Sequence, residues 1–163
     1  MTDTDCWILL EQCHDMALND MELKSRLVRE AIERLPEADA ADMLRFFDAA
    51  MARCYTWPLW GAAYVMNGGC GDDTFNDFRA CLISRGEAAV LGALKDPDTA
   101  LADIAGGVES WFYEGFDSAI GVGVQAVLGT LPGRGPFPAE PAGEQWAEDE
   151  VYKLYPQLAE LYG

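Results

Sequence analysis

With 163 residues, 50% of them hydrophobic and 24% charged, the chain has the length and composition of one globular domain and not of a disordered segment. Its 28 acids against 11 bases give a net charge of −17, which repels nucleic-acid phosphates and anionic lipid and so argues against direct binding to either. No apolar run reaches the ~20 residues of a membrane span, and the start Met1-Thr2-Asp3-Thr4-Asp5 lacks the basic residues of a secretory signal, so a cytoplasmic protein is expected.

The first half reads as a succession of helices. Trp7, Leu10, Cys13 and Ala17 recur at helical spacing across 6–18. Asp20 is placed to cap a second helix with the stripe Leu23, Leu27, Val28, Ala31, Ile32 and Leu35, closed by Pro36. A third is expected over 39–55, carried by Met43, Phe46, Phe47, Ala50, Met51 and Cys54. Pro58 suits the first turn of a fourth, 59–66, which Gly68-Gly69 would end. Asp72 is placed to cap a fifth, with Phe75, Phe78, Leu82 and Ile83 on its buried face and Gly86 at its end.

Short helical pieces follow over 87–94 and 98–104, separated by Asp96-Pro97. Residues 108–128 are apolar and aromatic, but Gly115, Gly121 and Gly123 interrupt the helical pattern and leave a small hairpin near 120–131 as an alternative. Pro132, Pro136, Pro138 and Pro141, interspersed with glycines, make 129–143 an irregular surface strap. Helical period returns at Val151, Leu154, Tyr155, Leu158 and Leu161, split by Pro156. The expected fold is all-α: a compact multi-helix single domain over 1–163 with a Pro/Gly-rich strap near its C-terminal end.

Cys6, Cys13, Cys54, Cys70 and Cys81 are odd in number and contain no C-x-x-C pair. With His14 the sole histidine, they read as buried free thiols in a reducing compartment, and no structural zinc is expected. Gly121-x-Gly123-x-x-Ala126 matches a dinucleotide fingerprint by letter, without the strand and βαβ context it needs.

Several stretches together resemble one family. Cys6-Trp7-Ile8-Leu9-Leu10-Glu11 is similar to the "F-W-x-L-I-E" opening of the domain-of-unknown-function family numbered 4240, small proteins frequent in actinobacteria. The run Leu59-Trp60-Gly61-Ala62-Ala63-Tyr64-Val65-Met66-Asn67-Gly68-Gly69-Cys70 resembles its central signature, and the likeness continues through Asp72-Asp73-x-Phe75-x-x-Phe78-Arg79 and Leu82-Ile83-Ser84-Arg85-Gly86. The ending, with Gly143-Glu144-x-Trp146 and Glu148-Asp149, also fits. Cys81 stands where the family more often carries tryptophan, and the stretch from Glu114-Gly115-Phe116-Asp117 onward resembles it poorly. The resemblance implies a fold and a candidate site, and no activity.

The central turn has a structural explanation in capping and glycine geometry, yet Asn67, Cys70, Asp72, Asp73, Asp77 and Arg79 crowd more polar groups into it than one turn requires. Asp73 and Asp77 lie four apart on a helix and share a face. With Glu109 as a third acid they could hold a hard divalent cation, although no metal ligand is assigned and the cofactor stays unknown. Cys70, just before a helix start, is where a thiol pKa is lowered. Arg79, Arg85 and Arg53 could bind an anionic ligand, but with so many acidic neighbours ion pairs are their expected use.

The favoured function is a ligand- or protein-binding accessory domain, with Asn67, Cys70, Arg79, Trp60, Tyr64 and Tyr113 as ligand contacts. Its partner would be a protein, a peptide or a small cationic ligand. A small enzyme using Asp72, Asp73, Asp77 and Glu109 in acid–base or divalent-metal chemistry on a peptide or cationic metabolite is the first alternative. An acidic, immunity-type partner neutralising a basic protein is the second. The two alternatives differ in what they require: the enzyme needs a concave pocket with perturbed carboxylates, the neutralising partner a broad acidic face.

Overall fold

The computed structural model describes residues 1–104 and 106–163. Local caps set the first helices. Thr2 and Asp5 form a reciprocal capping box, the Asp5 amide donating to Thr2 Oγ1 and the Thr2 amide to Asp5 Oδ2 at 2.9 Å, and open α1 (Asp3–Ala17). Asp20 accepts from the Leu23 amide at 3.0 Å to start α2 (Met21–Glu33), and Pro36 leads into α3 (Glu37–Arg53). Thr56 accepts from the Leu59 amide, and Pro58 occupies the first turn of α4 (Trp57–Asn67). There follow α5 (Asp72–Ile83), α6 (Glu87–Lys95), α7 (Pro97–Ala102), α8 (Val108–Trp111), α9 (Phe116–Leu128), α10 (Val151–Leu154) and α11 (Pro156–Tyr162). Among the described residues, extended backbone pairs only at an isolated bridge between Thr56 and Ala142, so the fold is all-α.

The apolar stripes of α1 and α3 are buried where their periodicity places them. On α2 the buried face is rotated from the leucine stripe: Met21, Lys24, Ser25, Val28 and Ile32 face inward, while Leu23, Leu27 and Leu35 are half-buried. α9 packs closely along α2, and Met21 and Lys24 turn toward the Ser84 hydroxyl just past α5. A side chain at Gly123 would put its Cβ 3.1 Å from the Arg29 carbonyl oxygen and 3.1 Å from Ile32 Cβ. Gly123, which weakens α9 as an isolated helix, therefore lets it approach α2, and tertiary packing overrides propensity. No hairpin forms at 120–131, because the helix runs to Leu128 and ends at Gly129 in the left-handed conformation. The Gly121-x-Gly123 letters thus lie inside a helix, away from any phosphate-binding turn.

A column of stacked rings crosses the core along α5. Trp57 stacks on Trp60 (5.2 Å between centroids), Trp60 on Phe75 (4.9 Å), Phe75 on Phe78 (6.2 Å) and Phe78 on Trp111 (5.7 Å). Two arginines of this region lie over it, Arg79 4.8 Å above Phe75 and Arg85 3.9 Å above Trp111.

After α9 the chain crosses the surface as the strap. The Trp57 amide donates to the Ala142 carbonyl at 2.8 Å, the Ala142 amide to the Tyr55 carbonyl at 3.0 Å, and Trp146 Nε1 to the Trp57 carbonyl at 2.8 Å. Pro156 splits the tail into α10 and α11. The buried Asp98 carboxylate accepts from the Gln157 and Leu158 amides at 3.2 and 2.9 Å, which holds the start of α11 against α7. Four of the five thiols (Cys6, Cys13, Cys54, Cys81) are buried and Cys70 is half-buried, all free. Among the described residues, no helix is long and apolar enough to cross a membrane.

Candidate functional site: an acidic cleft beside α5

The junction between α4 and α5 reverses the chain on Gly68 and Gly69, at φ of 67° and 127°. Asn67 closes the turn through Nδ2 to the Gly69 carbonyl at 3.1 Å. The sequence expectation that Asp72 caps α5 is corrected: Gly71 is the N-cap, in extended conformation and without a side-chain bond, and Asp72 is already helical. The helix start is instead served by the negative charge of Asp72 and Asp73 in its first turn. Their carboxylates are consequently not consumed by capping. Asp72 accepts from the Tyr55 hydroxyl at 3.4 Å, and both acids face outward.

Beside this turn lies an open cleft of about 580 Å³. One wall is the outer face of α5, carrying Asp72, Asp73, Asn76 and Asp77. Glu114, in the turn before α9, and the strap residues Phe137 to Ala139 oppose it, with Tyr55 at one end and Arg79 below. Asp72, Asp73 and Glu114 form the exposed rim, Asp77 is half-buried, and Arg79 is 3% exposed. Burial, with the like charges of Glu114, Asp117 and Asp73, pushes the Asp77 carboxyl up to about 6. The cleft is thus an anionic site whose charge the surrounding protein does not neutralise.

Arg79 is the exception to that sign. Its guanidinium lies between the rings of Tyr55, Phe75 and Phe137, at 4.7, 4.8 and 5.2 Å. Nη1 donates to the Met51 carbonyl at 2.9 Å and Nε to the Phe75 carbonyl at 3.4 Å. Among the described residues no carboxylate is within ion-pair distance of Arg79 and Nη2 has no hydrogen-bond partner. The sequence expectation that Arg79 is used in ion pairs is therefore corrected: its contacts are three ring faces and two backbone carbonyls.

The strap is held over this region by charge. Arg134 Nε donates to both Asp48 carboxylate oxygens at 2.8 Å, and its Nη2 lies 3.5 Å from Asp117. Asp117 also accepts from Asn76 Nδ2 at 3.3 Å. On the far side of Asn76 and Phe137, a second cleft of about 560 Å³ runs between α3 and the strap, floored by Leu44, Ala49 and Ala52.

The cleft brings together Asp72, Asp73, Asp77 and Arg79 from the residues singled out by sequence, and it leaves the others elsewhere. Glu109 is exposed in the first turn of α8 and does not line the cleft; the short helix turns Trp111 into the core, so its second residue faces solvent. Glu114 occupies the place assigned to it. Cys70 is also corrected: burial first, then the charges of Asp77 and Asp72, push its thiol up to about 12. The helix start that would have stabilised a thiolate is outweighed by desolvation. Trp60 belongs to the ring column and donates from Nε1 to the Cys70 carbonyl at 2.8 Å. Tyr64 packs on Trp146 and Tyr152 at the tail, and the Tyr113 carbonyl accepts from the Cys81 thiol. Tyr55, Glu114 and Phe137 were not anticipated; each comes from a segment that only the folded chain carries to α5. Among the described residues, no three His, Cys, Asp or Glu side chains converge closely enough to hold a metal ion.

The sequence model of the family described as "Protein of unknown function (DUF4240)" matches residues 1–121, and the chain belongs to that family. The match takes in Glu114 and Asp117 and stops before the strap and tail. No curated protein and no solved structure matches the chain.

Proposed function

We propose, from the cleft described above, that the chain is a ligand-binding domain whose acidic cleft receives an organic cation. The observation that carries the proposal is the convergence of Asp72, Asp73, Asp77 and Glu114 on one concavity of about 580 Å³, with no lysine and a single arginine among its walls. Carboxylates spread around an open rim suit a ligand whose positive charge is extended or multiple, such as a polyamine or a basic side chain. A concave recess also fits a small molecule or peptide end better than the broad face a neutralising partner would need.

The test is isothermal titration of the wild type and an Asp73→Asn, Asp77→Asn double variant with spermidine, cadaverine and agmatine at low salt. Saturable binding, lost or weakened at least about tenfold in the double variant, is the expected result. Equal heats for the two proteins, or none from any cation, would remove the proposal. An acid–base role for Asp77 in the same cleft is the second reading, favoured by a carboxyl held at about 6. Turnover of a bound amine that disappears in Asp77→Asn would separate catalysis from binding alone.

A further inference from the structure

We infer that the ligand of this cleft is a zwitterion of the α-amino-acid type, its ammonium group facing the Asp72, Asp73, Asp77 and Glu114 carboxylates and its carboxylate meeting Arg79. The inference rests on the reading of the cleft as a cation site and adds the second charge.

Arg79 carries it. An arginine that is 3% exposed, on a chain with 28 acids, would be expected to have a carboxylate partner. It has none among the described residues, although Asp72 and Asp117 are near enough to act on it through space. Instead three ring faces fix its plane, and two backbone carbonyls take Nη1 and Nε. Nη2 keeps unused donors at the wall of the cleft. The rings and carbonyls leave the guanidinium in one orientation, which reduces the ordering cost of anion binding and favours a planar carboxylate.

The surrounding charge then decides which anion is accepted. A dianion such as phosphate would sit among the cleft carboxylates with nothing to offset them. A simple cation would satisfy the rim and leave Arg79 as it is. A molecule with both charges a few bonds apart answers both, because its ammonium screens its own carboxylate from the rim. The half-buried Asn76 and the exposed ring of Phe137 lead onward into the second cleft, where the ligand's side chain has an apolar floor of Leu44, Ala49 and Ala52.

Matched pairs that differ only by the α-carboxylate test this: L-lysine against cadaverine and L-arginine against agmatine, titrated into the full chain. The amino acid is expected to bind at least about tenfold more tightly than its decarboxylated partner. Arg79→Gln should abolish that preference while retaining cadaverine binding. Since Arg79 also supports Met51 and Phe75, Arg79→Lys is measured beside it; it keeps the charge over the rings, loses the planar fork and should reduce the preference. Equal binding within each pair to the wild type, with the Asp73→Asn, Asp77→Asn variant still weakened, would overturn the zwitterion and leave the cation site standing. No binding by any of the four at millimolar concentration would overturn both.

Discussion

Two stretches of α5 bury positive charge on a strongly acidic chain, and they do it in different ways. In its third turn, Arg79 lies against an open cleft with carboxylates around it and ring faces against its guanidinium. Past the last turn, Lys24 of α2 is fully buried, and among the described residues its hydrogen-bond partner is the Ser84 hydroxyl at 3.3 Å, with Arg85 as a like-charged neighbour. Burial, and then Arg85, pull the Lys24 ammonium down to about 8. Arg79 has an open space that a ligand can enter, whereas Lys24 is enclosed with the Ser84 hydroxyl. An unneutralised buried charge thus marks a site only where the geometry also offers access; without access it is a stability cost that packing elsewhere offsets.

If the closed end carries stability and the open end carries binding, substitutions should separate the two. Trp111 is fully buried, stacked on Phe78 and lying under the Arg85 guanidinium. Trp111→Ala is expected to cost about 3–5 kcal/mol in chemical denaturation. Cation affinity per folded molecule should not change. Loss of affinity in the protein that remains folded would mean that the ring column couples the ends.

Lys24→Met is expected to stabilise. The replacement nearly matches the side chain in volume, and the Ser84 hydroxyl keeps its bond to the Cys81 carbonyl. Below about pH 8 both native and unfolded states hold the Lys24 proton, and the penalty is at its full size, on the order of 3 kcal/mol. Between about 8 and the ordinary lysine value of 10.5 the native state sheds the proton while the unfolded chain keeps it, so the penalty fades as pH rises. The difference between wild type and Lys24→Met, measured by urea denaturation from pH 7 to 10, should therefore shrink with pH. A constant difference would mean that the amine is not the source of the cost.

Those two ends were not equally legible in the sequence. The helices, the cap at Asp20, the first-turn Pro58, the αL glycine after α4 and the strap all follow from local rules, because each depends on residues within one or two turns. The carboxylates Asp73 and Asp77 were visible for the same reason, being one helical turn apart. Tyr55, Glu114 and Phe137 were not, since nothing local says that the end of α3, the turn before α9 and the strap meet at α5. Lys24 was hidden by its own leucine neighbours: Leu23 and Leu27 form the more hydrophobic stripe, and only the folded chain brings Ser84, past the end of α5, to the Lys24 amine. Long-range packing, rather than residue type, decided the parts that were missed.

At the open end the expected effect is smaller and depends on pH. The Asp77 carboxyl stands above its ordinary value because of burial and because Glu114, Asp117 and Asp73 face it. Its folded value of about 6 exceeds the unfolded value of 3.8, so the native state holds the proton more tightly, and stability falls as pH rises between the two. Cation binding needs the ionised form and should weaken as pH drops from 7 to 5, by up to about tenfold. In Asp77→Asn the affinity at pH 7 should be lower and that acid limb should be gone. An unchanged limb would assign it to another rim carboxylate.

The smallest effect is the most discriminating for the strap. Arg134 is 40% exposed where it meets Asp48 and Asp117, so Arg134→Gln should cost only about 0.2–1 kcal/mol of stability. Its informative consequence is at Asp77, read from the midpoint of the acid limb of cation binding. If the strap stays in place without Arg134, Asp117 loses a neighbouring cation and its charge bears more strongly on Asp77, moving the midpoint up in pH. If the strap instead swings away, Phe137 uncovers the cleft, water reaches Asp77 and the midpoint moves down toward the ordinary carboxyl value. The bonds of Ala142 to Tyr55 and Trp57 hold the strap independently of Arg134, so the upward shift is expected. A downward shift would make the Arg134 ion pair the latch on the cleft, and amide hydrogen exchange over 132–138 should then quicken with it.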